Sequence, residues 1–217
     1  MEQLELFPGV GVAEGERLYV IGNGFDVHHS IESKYSHFRN WLQKKENSRL
    51  IGLMDRFFSN RSDFWSEIEK ALGEYDEESI TEYCEPEIDD DSKFERPGQW
   101  QAGVEDSIDY IFGSAMEEFR VAFDEWIKSI DISCIETDLY FPKSARFLSF
   151  NYTETLEEAY KIPKQQVLHI HGSRTNINEG FVIGHGNPRG VNEPFEDEAL
   201  LLPYQNAYSS VIRIMIL

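Results

Sequence analysis

The sequence predicts an α/β fold, in which a mostly parallel sheet carries helices on both faces. Three short apolar runs, at residues 17–21, 146–150 and 166–170, have the length of strands, and the first is expected to be buried. Helical stretches separate these runs along the chain, and this alternation favours parallel pairing. Two further strands are expected at residues 181–183 and 211–217.

Between the first two strands, the apolar periodicity predicts a helical insertion at about residues 33–140. Residues 35–42 and 64–72 each place aromatic and aliphatic side chains on one helical face, with Ser33 as a cap for the first helix. A longer stripe of apolar residues, mostly at spacings of three and four, predicts a helix over residues 102–130. We expect these apolar side chains to form a core.

The composition predicts one domain with a sizeable core. Of the 217 residues, 41% are hydrophobic, which is enough for a single α/β domain over residues 17–217. Residues 1–16 are expected to be a flexible leader. Residues 74–100 are expected to be an acidic loop within the insertion, because residues 74–91 hold ten acidic side chains and no lysine or arginine.

Charge and cysteine content narrow the functional class. A formal net charge of −20 at pH 7 disfavours non-specific binding to nucleic acid. The two cysteines form no Cys-x-x-Cys pair, which argues against a zinc ribbon, an iron–sulfur site or a disulfide framework. No apolar run reaches about 18 residues, so no membrane span is predicted. Since the first residues lack a signal-peptide pattern, we expect a cytoplasmic protein.

Glycine and polar residues follow three of the predicted strands, at the point where each strand ends. GNGFD, residues 22–26, follows the first strand, Asn151 follows the second, and His171 follows the third. Ligands of parallel α/β sheets bind at the carboxyl ends of the strands. The sequence therefore predicts a ligand site at this edge of the sheet.

The first two motifs each allow a functional and a structural interpretation. The glycines of GNGFD let backbone N–H groups approach a phosphate, but a tight turn in which Asp26 caps a helix is about equally consistent with the pattern. The motif lacks the third glycine of G-x-G-x-x-G and the lysine of a P-loop. Asn151 is suited to bind a ribose hydroxyl or to orient a water, and equally to cap a helix together with Glu154.

The histidines supply candidate general bases. His171 is the better one, because it lies at a strand end and the ordinary pKa of histidine, about 6.5, suits proton transfer at neutral pH. His169 shares its strand face, which is expected to be solvated. His185, in GHGN after the fourth predicted strand, either lines the site or lies in a surface turn. The motif order of a dimetal phosphoesterase and the G-x-S-x-G of a serine hydrolase are both absent.

Taken in order, YVIGNGFD, FWSEIEKAL, FLSFNYTETLEEAY, LHIHGS and VIGHGN resemble the AbiH family of bacteriophage abortive-infection proteins, over roughly residues 17–190. That family is in turn similar to the sirtuin-type NAD-binding fold. The resemblance therefore implies a Rossmann-like, sirtuin-like sheet with an inserted helical subdomain. It also implies a phage-defence protein that binds and hydrolyses NAD or a related nucleotide, with NAD as substrate or ligand.

The resemblance also implies roles for particular residues. Asn151 and His171 would act at the nicotinamide ribose, where well-positioned groups are enough for attack by water. The implied cofactor-binding residues are Gly22, Asn23, Gly24, Phe25, Asp26, Thr153, Gly172, Ser173 and His185. No metal site is predicted.

Departures from the sirtuin pattern keep other functions open. Thr153 stands where sirtuins carry an aspartate, the four zinc cysteines of deacetylases are absent, and no later Gly-x-Ser turn is present. These departures favour a non-catalytic nucleotide-sensing or partner-binding module as the alternative. A metal-dependent nuclease is a third hypothesis, which the acidic surface disfavours. A homo-oligomer or a partner from a defence system fits any of the three.

Overall fold

The computed structural model describes residues 17–72, 75–84 and 97–175, which fall into two compact units. The sheet unit comprises the described residues of 17–34 and 124–175, and the helical unit comprises those of 35–123. Of the described helices, none combines the length and the apolar character that a membrane crossing requires.

The sheet unit contains three parallel strands. They are β1 (Leu18–Ile21), β2 (Arg146–Ser149) and β3 (Val167–His169), arranged in the order β1-β2-β3. These strands and their parallel pairing confirm the first three predicted strands and a mixed α/β fold. The strands predicted at 181–183 and 211–217 lie outside the described residues, so the Rossmann-like arrangement stays a prediction.

Short helices follow the strands. Helix α1 (Asn23–His28) begins directly after β1, and α7 (Thr155–Glu158) lies between β2 and β3, followed by a 3-10 turn at Lys164–Gln166. Both β1 and β2 thus run into a polar segment that leads to a helix.

One face of the sheet carries a small core. Its buried members are Ile21, Ala145, Phe147 and Leu156, and Tyr19 packs against them. The expectation that β1 is a buried strand was wrong, because Leu18 and Val20 are 48% and 64% exposed. Side chains alternate along a strand, so these two residues point away from the face that Tyr19 and Ile21 share.

The helical unit is built from four helices and most of a fifth. They are α2 (Tyr35–Lys44), α3 (Ser48–Phe57), α4 (Ile68–Ala71), α5 (Glu77–Cys84) and α6 (Pro97–Ser129), whose last turns belong to the sheet unit. Helices α2 and α6 confirm the predictions at 35–42 and 102–130. Helix α6 is continuous over its 33 residues.

Aromatic side chains form the core of the helical unit, as the periodicity predicted. The ring of Phe38 meets those of Phe119 and Phe123 edge-on, with centroids 5.4 and 5.2 Å apart. Phe57 and Phe112 make a similar contact at 5.3 Å. All five rings are fully buried. Such pairs contribute about 0.5–1.5 kcal/mol each beyond the burial of their area.

The helix predicted at 64–72 is shorter than expected. Helix α4 covers only Ile68–Ala71, and residues 62–66 form turns. The carbonyl of Asp63 accepts hydrogen bonds from the backbone N–H groups of Ser66 and Glu67, at 2.9 and 3.0 Å. These local bonds hold the preceding residues in a turn and let Phe64 reach the core outside a helix.

The acidic segment is not a loop throughout. Helix α5 lies within it, and helix α6 begins at Pro97, so the loop predicted at 74–100 was wrong for these residues. Ile80 and Cys84, four residues apart, lie on one face of α5 and are buried. The carboxylate of Asp76, directly before the helix, accepts a hydrogen bond from the N–H of Ser79 at 3.0 Å.

Candidate functional site

Two glycines lie where β1 runs into α1, Gly22 between the two elements and Gly24 in the first turn of the helix. Gly22 is the N-cap of α1, with an extended backbone and no side-chain cap. A Cβ atom added to Gly22 or to Gly24 would meet no atom within 4 Å, so both face open space. The structural interpretation in which Asp26 caps the helix was wrong, because the helix begins at Asn23 and Asp26 lies inside it.

A pocket opens beside this turn. Its volume is about 360 Å³, within the lower part of the range of about 300–1,000 Å³ that small-molecule sites occupy. Its lining is largely apolar and comprises Val20, Ile21, Gly22, Gly24, Phe25, His28 and Leu139. Gly22, Gly24 and Phe25 were predicted as ligand-binding residues. Asn151 and His171 do not line the pocket.

Behind the turn, Asp26 is buried among hydrogen-bond donors. Thr153 donates from Oγ1 to Asp26 Oδ2 at 2.6 Å, and Thr155 Oγ1 lies 3.0 Å from Oδ1. The Asn151 side chain also hydrogen-bonds the carboxylate, and the nearby Ser33 side chain lowers its pKa. Burial raises the pKa of Asp26 above its ordinary value, and these hydrogen bonds oppose the rise.

This network joins the GNGFD turn to the segment that follows β2. Removing a donor from a buried carboxylate costs about 1–3 kcal/mol, so the hydroxyls of Thr153 and Thr155 hold Asp26 in place. The expected capping role of Ser33 was wrong, because α2 begins two residues later and the Ser33 hydroxyl donates to Asn23 Oδ1 at 2.6 Å. The polar atoms of Asp26 and Thr153 thus bind each other.

Asn151 lies in the same buried network. Its backbone N–H donates to Ser149 Oγ at 3.2 Å, and its carbonyl oxygen lies 2.9 Å from His169 Nδ1. The interpretation of Asn151 as a helix cap was wrong, because α7 begins only at Thr155. Asn151 is 6% exposed, so its side-chain amide is held beside Asp26 within the protein.

Glu154 occupies the N-cap position of α7 but makes no capping bond with its side chain. Its carboxylate instead accepts hydrogen bonds from Arg174 Nε at 2.8 Å and from the Thr175 N–H at 3.0 Å. Ser173, a predicted cofactor-binding residue, also hydrogen-bonds Glu154. Burial raises the pKa of Glu154, but these bonds outweigh burial, so the pKa lies below its ordinary value.

His171 lies in the turn after β3, since the strand ends at His169. It is 3% exposed, and its ring lies 5.6 Å from that of Phe150 and 6.0 Å from that of Tyr152. Gly172, next in the chain, has a φ of 80°, a backbone conformation that favours glycine. His185 lies outside the described residues.

The expectation that His169 lies on a solvated strand face was wrong. Its ring is largely buried, with Nε2 3.0 Å from Glu157 Oε1 and Nδ1 facing the carbonyl of Asn151. Burial lowers the pKa of His169, but the hydrogen bond and charge of Glu157 outweigh it, so the pKa is raised. The alternation of side chains along the strand placed His169 on a face, but it could not show that Glu157 would pack against the ring.

Three further polar residues beside the pocket were not predicted. His28 and His29 end α1, and both imidazole rings approach the carboxylate of Asp138. His28 also lines the pocket. The adjacent histidines, which follow GNGFD after one intervening residue, were a visible signal, whereas Asp138 lies 110 residues beyond His28 in a region without a motif.

A family model described as bacteriophage abortive infection AbiH matches residues 18–214. The chain belongs to the AbiH family. This confirms the resemblance carried by the five motifs, and membership implies a role in abortive-infection defence against phage. No curated protein and no solved structure matches the chain. The likeness to sirtuins stays a prediction.

Proposed function

We propose that this AbiH chain binds NAD or a related nucleotide in the pocket beside the GNGFD turn and hydrolyses it during abortive infection. One observation carries the proposal: Gly22 and Gly24 line a pocket at the carboxyl end of a parallel strand and leave open space where a side chain would stand. Such space lets a phosphate approach the backbone closely.

The walls of the pocket suit the remainder of a nucleotide. Val20, Phe25 and Leu139 offer apolar surface for a base or a pyridine ring. His28, at the rim, supplies an imidazole for polar groups of the ligand. We infer that Asp26, Thr153 and Thr155 act indirectly, by holding the glycine turn rather than by touching the ligand.

The proposed reaction is hydrolysis of the bond between nicotinamide and ribose. Water attacks the anomeric carbon, the carbon–nitrogen bond breaks, and nicotinamide leaves with the bonding electrons. Because Asn151 and His171 do not line the pocket, the proposal requires the nicotinamide ribose to extend beyond it along the sheet edge. There His171 would accept the proton of the attacking water, and Asn151 would orient the water or a ribose hydroxyl. Their support is that both follow strands of one parallel sheet at the edge where Gly22 follows β1.

A second candidate is a nucleotide sensor without catalysis. The buried bonds of Asp26 with Thr153 and with Asn151 favour it, because side chains that bind each other are not presented to a ligand. The sensor hypothesis predicts that the nucleotide stays bound and is not hydrolysed. It also fits the departure of Thr153 from the sirtuin pattern.

The test is NAD turnover by the purified chain, measured as release of nicotinamide, with and without lysate of phage-infected cells. The hydrolase proposal predicts turnover that falls about 100-fold or more in His171→Ala and Asn151→Ala. His37→Ala, which removes a histidine from the helical unit, should keep full activity. Binding without turnover in any condition would leave the sensor, and absence of both would reject the nucleotide proposal.

A further inference from the structure

The end of α1 and the segment before β2 bring two imidazoles and one carboxylate together. His28 Nε2 lies 2.8 Å from Asp138 Oδ2, and His29 Nε2 lies 3.8 Å from Asp138 Oδ1. One candidate ligand atom from each residue lies within 4.8 Å of the other two. These three residues, the histidine cluster, are the only such group among the described residues.

His29 is held in the state that a metal ligand needs. Its Nδ1 lies 2.7 Å from the carbonyl oxygen of Phe25, which can only accept a hydrogen bond. In the neutral ring the proton therefore resides on Nδ1, and Nε2 carries the lone pair. Histidine ligands of metals commonly have this arrangement, with the second ring nitrogen donating to a carbonyl or a carboxylate.

The donor spacing suits a small divalent ion. Bonds of about 2.0–2.2 Å in tetrahedral geometry place donor atoms about 3.4 Å apart. From one carboxylate oxygen, Asp138 Oδ1, the Nε2 atoms of His28 and His29 lie 3.1 and 3.8 Å away, on either side of that value. The hydroxyl of Tyr160 lies 2.6 Å from His29 Nε2, so an ion that binds this nitrogen would displace the hydroxyl.

We propose that His28, His29 and Asp138 bind one divalent first-row transition metal ion at the rim of the pocket. Two imidazoles and a carboxylate form a ligand set that leaves a coordination position open, as catalytic rather than structural zinc sites do. Because His28 also lines the pocket, the open position lies where a water or a ligand oxygen has access. The proposal does not depend on nucleotide binding.

The test is calorimetric titration of Zn²⁺ into the full chain, untagged and treated with chelator, at physiological salt. We expect one site per chain that Asp138→Asn and His28→Gln weaken about tenfold or more. His37→Gln should bind as the wild type does, which controls for weak binding by the acidic surface. His28 and Asp138 are both about half exposed, so these variants are expected to fold.

A second readout separates coordination from general charge effects. Co²⁺ bound by the cluster should give visible absorption bands that Zn²⁺ displaces and that Asp138→Asn abolishes. Unchanged zinc affinity in both variants would overturn the proposal, as would no zinc site at all. Either result would leave the His28–Asp138 contact as an exposed side-chain contact of small energetic value.

Discussion

At the scale of single residues, buried polar side chains connect the segments that follow β1 and β2, which the motifs alone placed only at neighbouring strand ends. The sequence placed GNGFD and Asn151 at neighbouring strand ends, and the structure joins them through Asp26. The sequence could not show that Thr153 would donate a hydrogen bond to Asp26, because the two residues lie 127 positions apart in the chain. Side-chain partners depend on packing in three dimensions, which strand and helix periodicities do not encode.

The pair of His169 and Glu157 predicts a pH dependence of stability. Because the folded pKa of His169 is raised, its stabilising contribution is fully present below the unfolded pKa, about 6.5, and is lost as pH rises through the folded pKa. We expect the Tm of Glu157→Gln to fall less than that of the wild type between about pH 6 and pH 8.5.

A double variant isolates this effect from other titrating groups. In a His169→Gln background, Glu157→Gln should leave the shape of the pH profile unchanged, since the proton-binding group is gone. If Glu157→Gln flattened the profile equally in both backgrounds, the linkage would belong to another group.

At the scale of elements, the acidic composition of residues 74–91 led to a wrong prediction, because the packing of a few apolar side chains determines their structure. The charge of residues 74–91 predicted a loop, yet Ile80 and Cys84 give α5 a buried face. Two apolar residues four positions apart are a weak sign of a helix among ten acidic residues. Burial of the isoleucine nevertheless stabilises the packed helix, and the acidic side chains can remain solvated on its opposite face. Burial likewise raises the pKa of the Cys84 thiol to about 11.

Helix α5 is therefore expected to contribute to the stability of the helical unit. Ile80→Ala should lower the free energy of unfolding by about 2–4 kcal/mol, because it leaves a cavity at a fully buried position. Urea denaturation measures the change. Glu78→Ala, on the exposed face of the same helix, should change stability by about 0.5 kcal/mol or less. Equal effects of the two substitutions would show that α5 is not docked.

At the scale of the whole molecule, the family match gives the role of the protein, and its charge bears on which targets are disfavoured. The AbiH family model covers residues 18–214, and the role in phage defence follows from it. The net charge of −20 disfavours broad contact with nucleic acid. The sequence predicted the parallel α/β core because short strands and helices alternate with clear periodicities. The sequence could not predict the pocket, because Leu139 lines it together with Gly22 and Gly24, and no local pattern shows that these distant residues lie close together.

Calorimetry of NAD binding tests whether the pocket at Gly22 and Gly24 binds a nucleotide. Gly24→Ala adds a methyl group beside the pocket without meeting another atom, and alanine favours a helix over glycine by up to about 1 kcal/mol. Gly52→Ala makes the same change in α3, also in open space, and is the matched control.

We predict that NAD binds the wild type and Gly52→Ala equally, and that Gly24→Ala weakens binding about tenfold or more while the Tm stays the same or rises. Equal binding by all three proteins would place the nucleotide elsewhere. No binding to the wild type would contradict a nucleotide site in this protein.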